Sequence, residues 1–267
     1  MRSRKRLLAL LVTELICALL LIGRHDSLPA GSTVAAPAAL TTPTAPSTSQ
    51  TLRDGRTAHL IGLGEGTAPL LTRISAQLDD AAATVTAFWG PDWPRDIVVV
   101  GASTDAQFAA VGGGDSDTAA TTTAQRIMFA PGAGSMSDAA LRIVLRHELF
   151  HFAARAKTAP DAPRWLTEGV ADFVARPPTP PSPDAAESAK LPTDAELDGQ
   201  DRSLAYDRAW WFSRFVADEY GTASLRELYV RACGYGHRDA ATAVRDTLGA
   251  DLDAIQSHWR RWLSGPA

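Results

Sequence analysis

Cysteine is almost absent from the 267-residue chain, which has only Cys17 and Cys233. That excludes a disulfide-framed scaffold and any thiolate zinc finger, so a metal here must be held by His, Asp or Glu. Net positive charge is lacking as well. The formal net charge is -4, and residues 1–24 carry Arg2, Arg4, Lys5, Arg6 and Arg24 against Glu14, a local +4 that leaves -8 for the other 243 residues. Such a chain has no basic footprint for nucleic acid. The apolar run Leu7–Ile22 is also a little short of a full membrane span; it is 16 residues long and contains Thr13 and Glu14. At about 1.5 Å per residue it covers roughly 24 Å, against a hydrocarbon core of roughly 30 Å. What the chain does have is 45% hydrophobic and 21% charged residues, enough for a packed core and incompatible with global disorder.

The basic residues directly before Leu7–Ile22 make residues 1–24 a signal peptide or a signal anchor with its positive end in the cytoplasm. Small-residue cleavage sites lie around Ala35 to Ala39. Either way the body of the protein is expected to be extracytoplasmic, secreted or membrane-anchored through residues 7–22. Residues 25–51 are rich in Pro, Ala, Ser and Thr and read as an extended linker. The globular domain is expected over residues 52–267.

Within it, Thr57–Leu63 and Asp96–Val100 read as strands, and Arg126–Ala130 as a third. Ala68–Trp89 has helical periodicity ended by Gly90-Pro91. Ser103–Val111 reads as a short helix. Gly112-Gly113-Gly114 reads as a loop without phosphate-binding spacing. Ser137 is a suitable N-cap for a helix to about Lys157, and Pro163 opens the next, which ends before Pro177-Pro178. Residues 177–200, with six prolines, read as a mobile insert. Ser203–Cys233 and His237–Leu263 look helical, broken near Gly221 and Gly249. Strands first and helices later imply an α+β domain.

The chemistry lies in His147-Glu148-Leu149-Phe150-His151. Histidines four apart in a helix project from one face and can share a metal ion, while Glu148 is offset and can take a proton from a water beside it. Downstream runs Trp165-Leu166-Thr167-Glu168-Gly169-Val170-Ala171-Asp172-Phe173. Glu168 follows His151 by 17 residues, room for a reversing loop and a second helix, and Asp172 is one turn further on the same face. A catalytic zinc needs three protein ligands and an open position, which His147, His151 and Glu168 supply. Asp172 is placed to accept the free N–H of a ligating imidazole.

These paired motifs resemble the gluzincin metallopeptidases, above all their small peptidase-MA-like domains, relatives of thermolysin and the membrane alanyl aminopeptidases. The resemblance runs from about residue 57 to 221 and includes Tyr206-Asp207-Arg208-Ala209-Trp210-Trp211-Phe212. It implies a zincin-like fold with a small mixed sheet and a mainly helical half carrying a Zn2+ site. It also implies a peptide or protein substrate. The metzincin pattern fails, since Lys157 and Ala154 stand where it requires histidine and glycine. Gly134-Ser135-Met136-Ser137-Asp138 lacks the acid and amide with which the aminopeptidases grip a substrate amino terminus, which favours an endopeptidase.

In the implied mechanism Glu148 is the general base and the developing oxyanion needs a donor besides zinc. Tyr206 is the candidate and His237 the second choice. The strand Arg126–Ala130 is expected to offer an edge to an extended substrate. The alternative is a catalytically silent zincin-fold module for surface binding or scaffolding. The aromatic stripe Trp210, Trp211 and Phe215 reads as core; His25, His59 and His258 read as surface or linker residues, and Cys233 as a buried small hydrophobe.

Overall fold

The structure is a computed structural model that describes residues 47–112, 118–181 and 185–265. The signal segment, most of the linker with His25, the glycine loop beyond Gly112, and residues 182–184 lie outside the described residues. Among the described residues no helix is long and apolar enough to cross a membrane.

In chain order the strands are β1 (Ser47–Thr51), β2 (Thr57–Leu63), β3 (Asp96–Ala102), β4 (Ala120–Thr122) and β5 (Ile127–Phe129). They lie side by side as β1-β2-β3-β5-β4. The β1–β2 and β4–β5 pairs are antiparallel, while β2–β3 and β3–β5 are parallel. This is the small mixed sheet the sequence led us to expect, followed by a helical half. One boundary needs correction. Ser47–Thr51, the end of the stretch read as linker, pairs with β2 from Ser47–Ile61 to Thr51–Thr57. Its alternating Ser and Thr satisfy an edge ladder without needing an apolar face, so composition disguised it.

Parallel β2 and β3 require a crossover, and helix α1 (Ala68–Trp89) supplies it. Its Leu71, Ile74, Leu78, Val85 and Trp89 are buried, and Gly90 ends it at φ 93°, a conformation that favours glycine. The short helix α2 (Asp105–Gly112) covers the other face of the sheet, where Phe108 packs with Val100, Ala102 and Met128.

Helix α3 (Asp138–Ala154) carries the histidine pair. The Ser137 side chain accepts from Ala140 N at 3.2 Å, and Asp138 adds negative charge at the positive end of the helix dipole. Arg73 of α1 fixes this end by donating to Asp138, Gly134 O and Met136 O at 2.8, 2.9 and 2.6 Å. A 3-10 turn, Arg155–Lys157, follows, and the next helix, α4 (Arg164–Ala175), starts after Pro163.

The insert at 177–200 is only in part the loose segment its prolines imply. Ala185–Ser188 forms a 3-10 turn, and Asp194–Leu197 forms α5, opened by a Thr193–Glu196 capping box. Ala185, Ala189 and Leu197 are buried in the main core. Arg208 donates to Glu196 at 2.7 Å, and Arg164 to Asp198 at 2.8 Å. The few apolar residues between the prolines are what anchor it. Helices α6 (Arg202–Tyr220), α7 (Thr222–Cys233), α8 (Ala240–Leu248) and α9 (Leu252–Leu263) complete the domain. Trp210, Trp211, Phe215 and Cys233 are buried, as expected of core residues.

Candidate metal and catalytic site

Two antiparallel helices build the site. α3 presents His147 and His151 one turn apart, and α4 brings back Glu168 and Asp172. Gly169, beside Glu168, lets α4 approach α6 closely. A Cβ there would lie 2.4 Å from Ala209 O and 2.8 Å from Ser213 Oγ. The glycine is thus a packing requirement that fixes where the neighbouring glutamate points.

The donor atoms converge. His147 Nε2 and His151 Nε2 are 3.1 Å apart, and Glu168 Oε2 lies 3.2 Å from the first and 3.5 Å from the second. Two imidazole nitrogens and a carboxylate oxygen this close need a proton or a cation between them. Ligand atoms about 2.0–2.1 Å from a tetrahedral zinc stand roughly 3.3 Å from each other, so the residues present fit that ion. The three form the group that could hold a metal among the described residues.

Asp172 Oδ1 accepts from His147 Nδ1 at 2.9 Å, which leaves Nε2 for the cluster. Asp172 Oδ2 forms an ion pair with Arg176 at 2.7 Å, and Arg176 also reaches Asp207 at 2.6 Å and lies over the Trp210 ring at 5.2 Å. The site is partly buried, with side-chain exposures of 15% for His147, 21% for His151, 17% for Glu168 and 5% for Asp172. Burial opposes charge on His147, yet its bonds to Asp172 and Glu168 outweigh this and hold the metal-free imidazole well above its ordinary pKa. Burial opposes charge on Glu168 too, but His151 and His147 hold its carboxyl below the usual carboxylate range. A cluster that already stabilises one shared positive charge is chemically suited to a divalent cation.

Glu148 is buried on the adjacent face of α3. Its Oε2 accepts from Thr122 Oγ1 at 2.6 Å, and Thr122 also lies 3.0 Å from the Glu148 carbonyl. Thr122 was not singled out in the sequence. It belongs to a run of threonines with no spacing relation to the motif, and only the sheet brings it there. Arg176 was missed similarly, although it follows Asp172 by one helical turn.

A cavity of about 410 Å³ opens over these groups, lined by His147, Glu148, His151, Glu168, Tyr206 and β4. Tyr206, in the second turn of α6, therefore faces the same space as the histidines. Burial and the negative charge of Glu168 push its phenol up, so it stays a hydrogen-bond donor.

Three expectations are corrected. His237 is not among the residues lining the cavity; its ring nitrogens face Arg238 O at 2.8 Å and Asp161 at 3.4 Å. The strand at 127–129 is not an edge, since it pairs with β3 on one side and β4 on the other, so β4 is the edge beside the site. Residues 134–138 form the end of a 3-10 turn and the start of α3, away from the cavity lining. Their lack of an acid and an amide says nothing about a substrate amino terminus, and the preference for an endopeptidase loses its ground. His59 and His258 are surface residues, paired with Ser49 and Asp96 and with Glu219 and Tyr220. Burial pushes the Cys233 thiol up, as suits an inert core position.

No protein-family profile matches the chain, and no curated protein matches it. Among solved structures, aminopeptidase A of Legionella pneumophila in complex with aspartic acid is similar at a TM-score of 0.48 and 16% identity, over 80% of this chain and 27% of that one. An M1 zinc metallopeptidase mutant from Deinococcus radiodurans is similar at 0.42 and 16% identity, over 84% of this chain and 52% of that one. A two-domain M1 zinc metallopeptidase mutant bound to L-arginine scores 0.41 at 16% identity, over 83% and 52%. The chain thus spans about a quarter to a half of the length of these structures.

Proposed function

We propose that the protein is a zinc-dependent peptidase acting on peptides or proteins outside the cytoplasm. The observation that carries this is the convergence of His147, His151 and Glu168, with three donor-atom separations of 3.1, 3.2 and 3.5 Å, beside the buried Glu148. A purely structural zinc site is usually closed by four ligands and needs no neighbouring acid.

Zinc bound there supplies Lewis acidity that favours attack on a peptide carbonyl. Glu148 takes the proton of the attacking water on its carboxylate and passes it to the leaving amine. Thr122 holds that carboxylate by donating to Oε2. Asp172 keeps His147 in the tautomer that offers Nε2 to the ion. Tyr206 donates its phenolic hydrogen to the oxyanion. The outer edge of β4, the last strand of the sheet, pairs with an extended substrate backbone. Export rests on the basic and apolar character of residues 1–24, and fractionation of cells making the full chain tests it.

The functional test is metal analysis paired with a peptide-library assay on the wild type and Glu148→Gln. We expect one zinc in each and hydrolysis by the wild type alone, the variant losing about 10²–10⁴-fold. Zinc binding without hydrolysis of any peptide by the wild type would instead support a silent binding or scaffolding module.

A further inference from the structure

We infer that the cavity recognises a carboxylate of its substrate through Arg155, one helical turn beyond His151. The inference deepens the peptidase reading and rests on it for the identity of the ligand as a peptide. Arg155 follows His151 as His151 follows His147, so the three positions form one stripe along the motif helix and its terminal turn. At about 1.5 Å per residue, Arg155 lies roughly 6 Å further along the axis, close to two residues of extended peptide. It lines the same cavity as the histidines, together with Thr158, Pro160 and Tyr229.

The neighbours of Arg155 leave it to a ligand. Thr158 Oγ1 gives its one hydrogen to Ala154 O at 2.9 Å, so the 2.9 Å contact with Tyr229 uses the tyrosine's hydrogen. Both hydroxyl hydrogens at this end of the cavity are therefore spent internally. Arg155 itself has no acidic partner among the described residues. The other arginine lining the cavity, Arg164, is held by Asp198 at 2.8 Å. Charge follows the same division. With a divalent ion on His147, His151 and Glu168, the ion's surplus positive charge is balanced by Glu148, and Arg164 by Asp198. Of the two arginines lining this cavity, Arg155 is the one left without an acidic partner among the described residues. A planar guanidinium with free N–H groups beside a peptide cavity matches a carboxylate in two-point geometry. The carboxylate comes from an acidic side chain or from the substrate's own carboxyl terminus.

The test uses the full chain loaded with zinc and two peptide sets. One has amidated carboxyl termini and places Asp or Glu at each position in turn; the other has no acidic side chain and compares a free carboxyl terminus with its amide. Arg155→Gln is expected to lower kcat/KM for the carboxylate-bearing peptides by about 10- to 100-fold, mainly through KM, with zinc content and turnover of uncharged peptides retained. Arg155→Lys should restore part of the loss, and Arg155→Glu should invert the preference. The set that responds identifies the source. Equilibrium binding of the same peptides to Glu148→Gln gives a readout that needs no turnover. Arg155-dependent binding without hydrolysis by the wild type would support the carboxylate site while sinking the peptidase reading. Hydrolysis that is indifferent to peptide carboxylates, or to Arg155→Gln, would overturn the carboxylate site and leave the peptidase reading intact.

Discussion

Thr122, on the sheet edge, donates its hydroxyl to Glu148 Oε2 at 2.6 Å, and so ties the end of a strand to the acid at the centre of the site. Glu148 sits in the middle of α3, and the hydrogen bond to its carboxylate comes from a strand across the cleft.

Removing that hydroxyl while keeping the shape is the direct check. Thr122→Val should lower kcat by roughly tenfold, the worth of a hydrogen bond to a charged group, with zinc content unchanged. Thr122→Ser should stay close to wild type. Equal turnover in the valine variant, measured on any cleaved peptide, would show that the acid needs no such support.

Metal binding should depend on pH with a definite sign. In the metal-free protein the His147 imidazole is held well above its ordinary value of about 6.5, because its bonds to Asp172 and Glu168 outweigh the cost of burial. Its protonation therefore stabilises the metal-free fold below about pH 6.5, and that contribution is lost as pH rises through the folded-state value. Zinc takes the place of the proton, so its stabilising effect must grow over the same window. We expect the metal-free Tm to fall and the zinc-induced rise in Tm to increase as pH goes up from about 6.5. Asp172→Asn should flatten both trends in the same calorimetric series. A zinc-induced rise that is constant with pH in the wild type would contradict the assignment.

Tyr206→Phe tests the donor facing the cavity from α6. An interaction made only as charge develops affects kcat and not KM. Loss of one oxyanion donor costs about 10²–10³ in kcat. We expect a fall of that size with KM and zinc content nearly constant, read by steady-state kinetics. An unchanged kcat would reduce Tyr206 to a wall residue.

Gly169→Ala should weaken the fold and the site together. The added methyl would meet backbone of α6 at 2.4 Å, and a backbone atom cannot swing away as a side-chain tip can. Overpacking of this kind costs about 1–3 kcal/mol, which for a domain of this size lowers Tm by roughly 2–12 °C. Glu168 is the next residue, so zinc affinity should fall too. Thermal unfolding and zinc titration of the variant check both.

By itself the sequence determined the parts of this protein that depend on local periodicity. The four-residue spacings of His147 and His151, and of Glu168 and Asp172, each put two side chains on one helical face, and 3.6 residues per turn makes that inevitable. The bounds of Thr57–Leu63 and Ala68–Trp89 followed from apolar patterning bounded by glycine and proline, and the structure has the same ranges. Tertiary structure alone decided what depends on pairing between distant segments. Strand order placed 120–122 at the edge and 127–129 inside the sheet, which no short-range pattern encodes. The Ser/Thr composition of 47–51 matched a linker until a partner strand satisfied its backbone. The insert at 177–200 was held by three buried apolar side chains and two arginines from other helices. Thr122 met Glu148, and Arg155 was left without an acid among the described residues, only because the sheet and the helices fold onto one another. Hydrogen bonds and charge balance of that kind join residues far apart in the chain, so periodicity carries no trace of them.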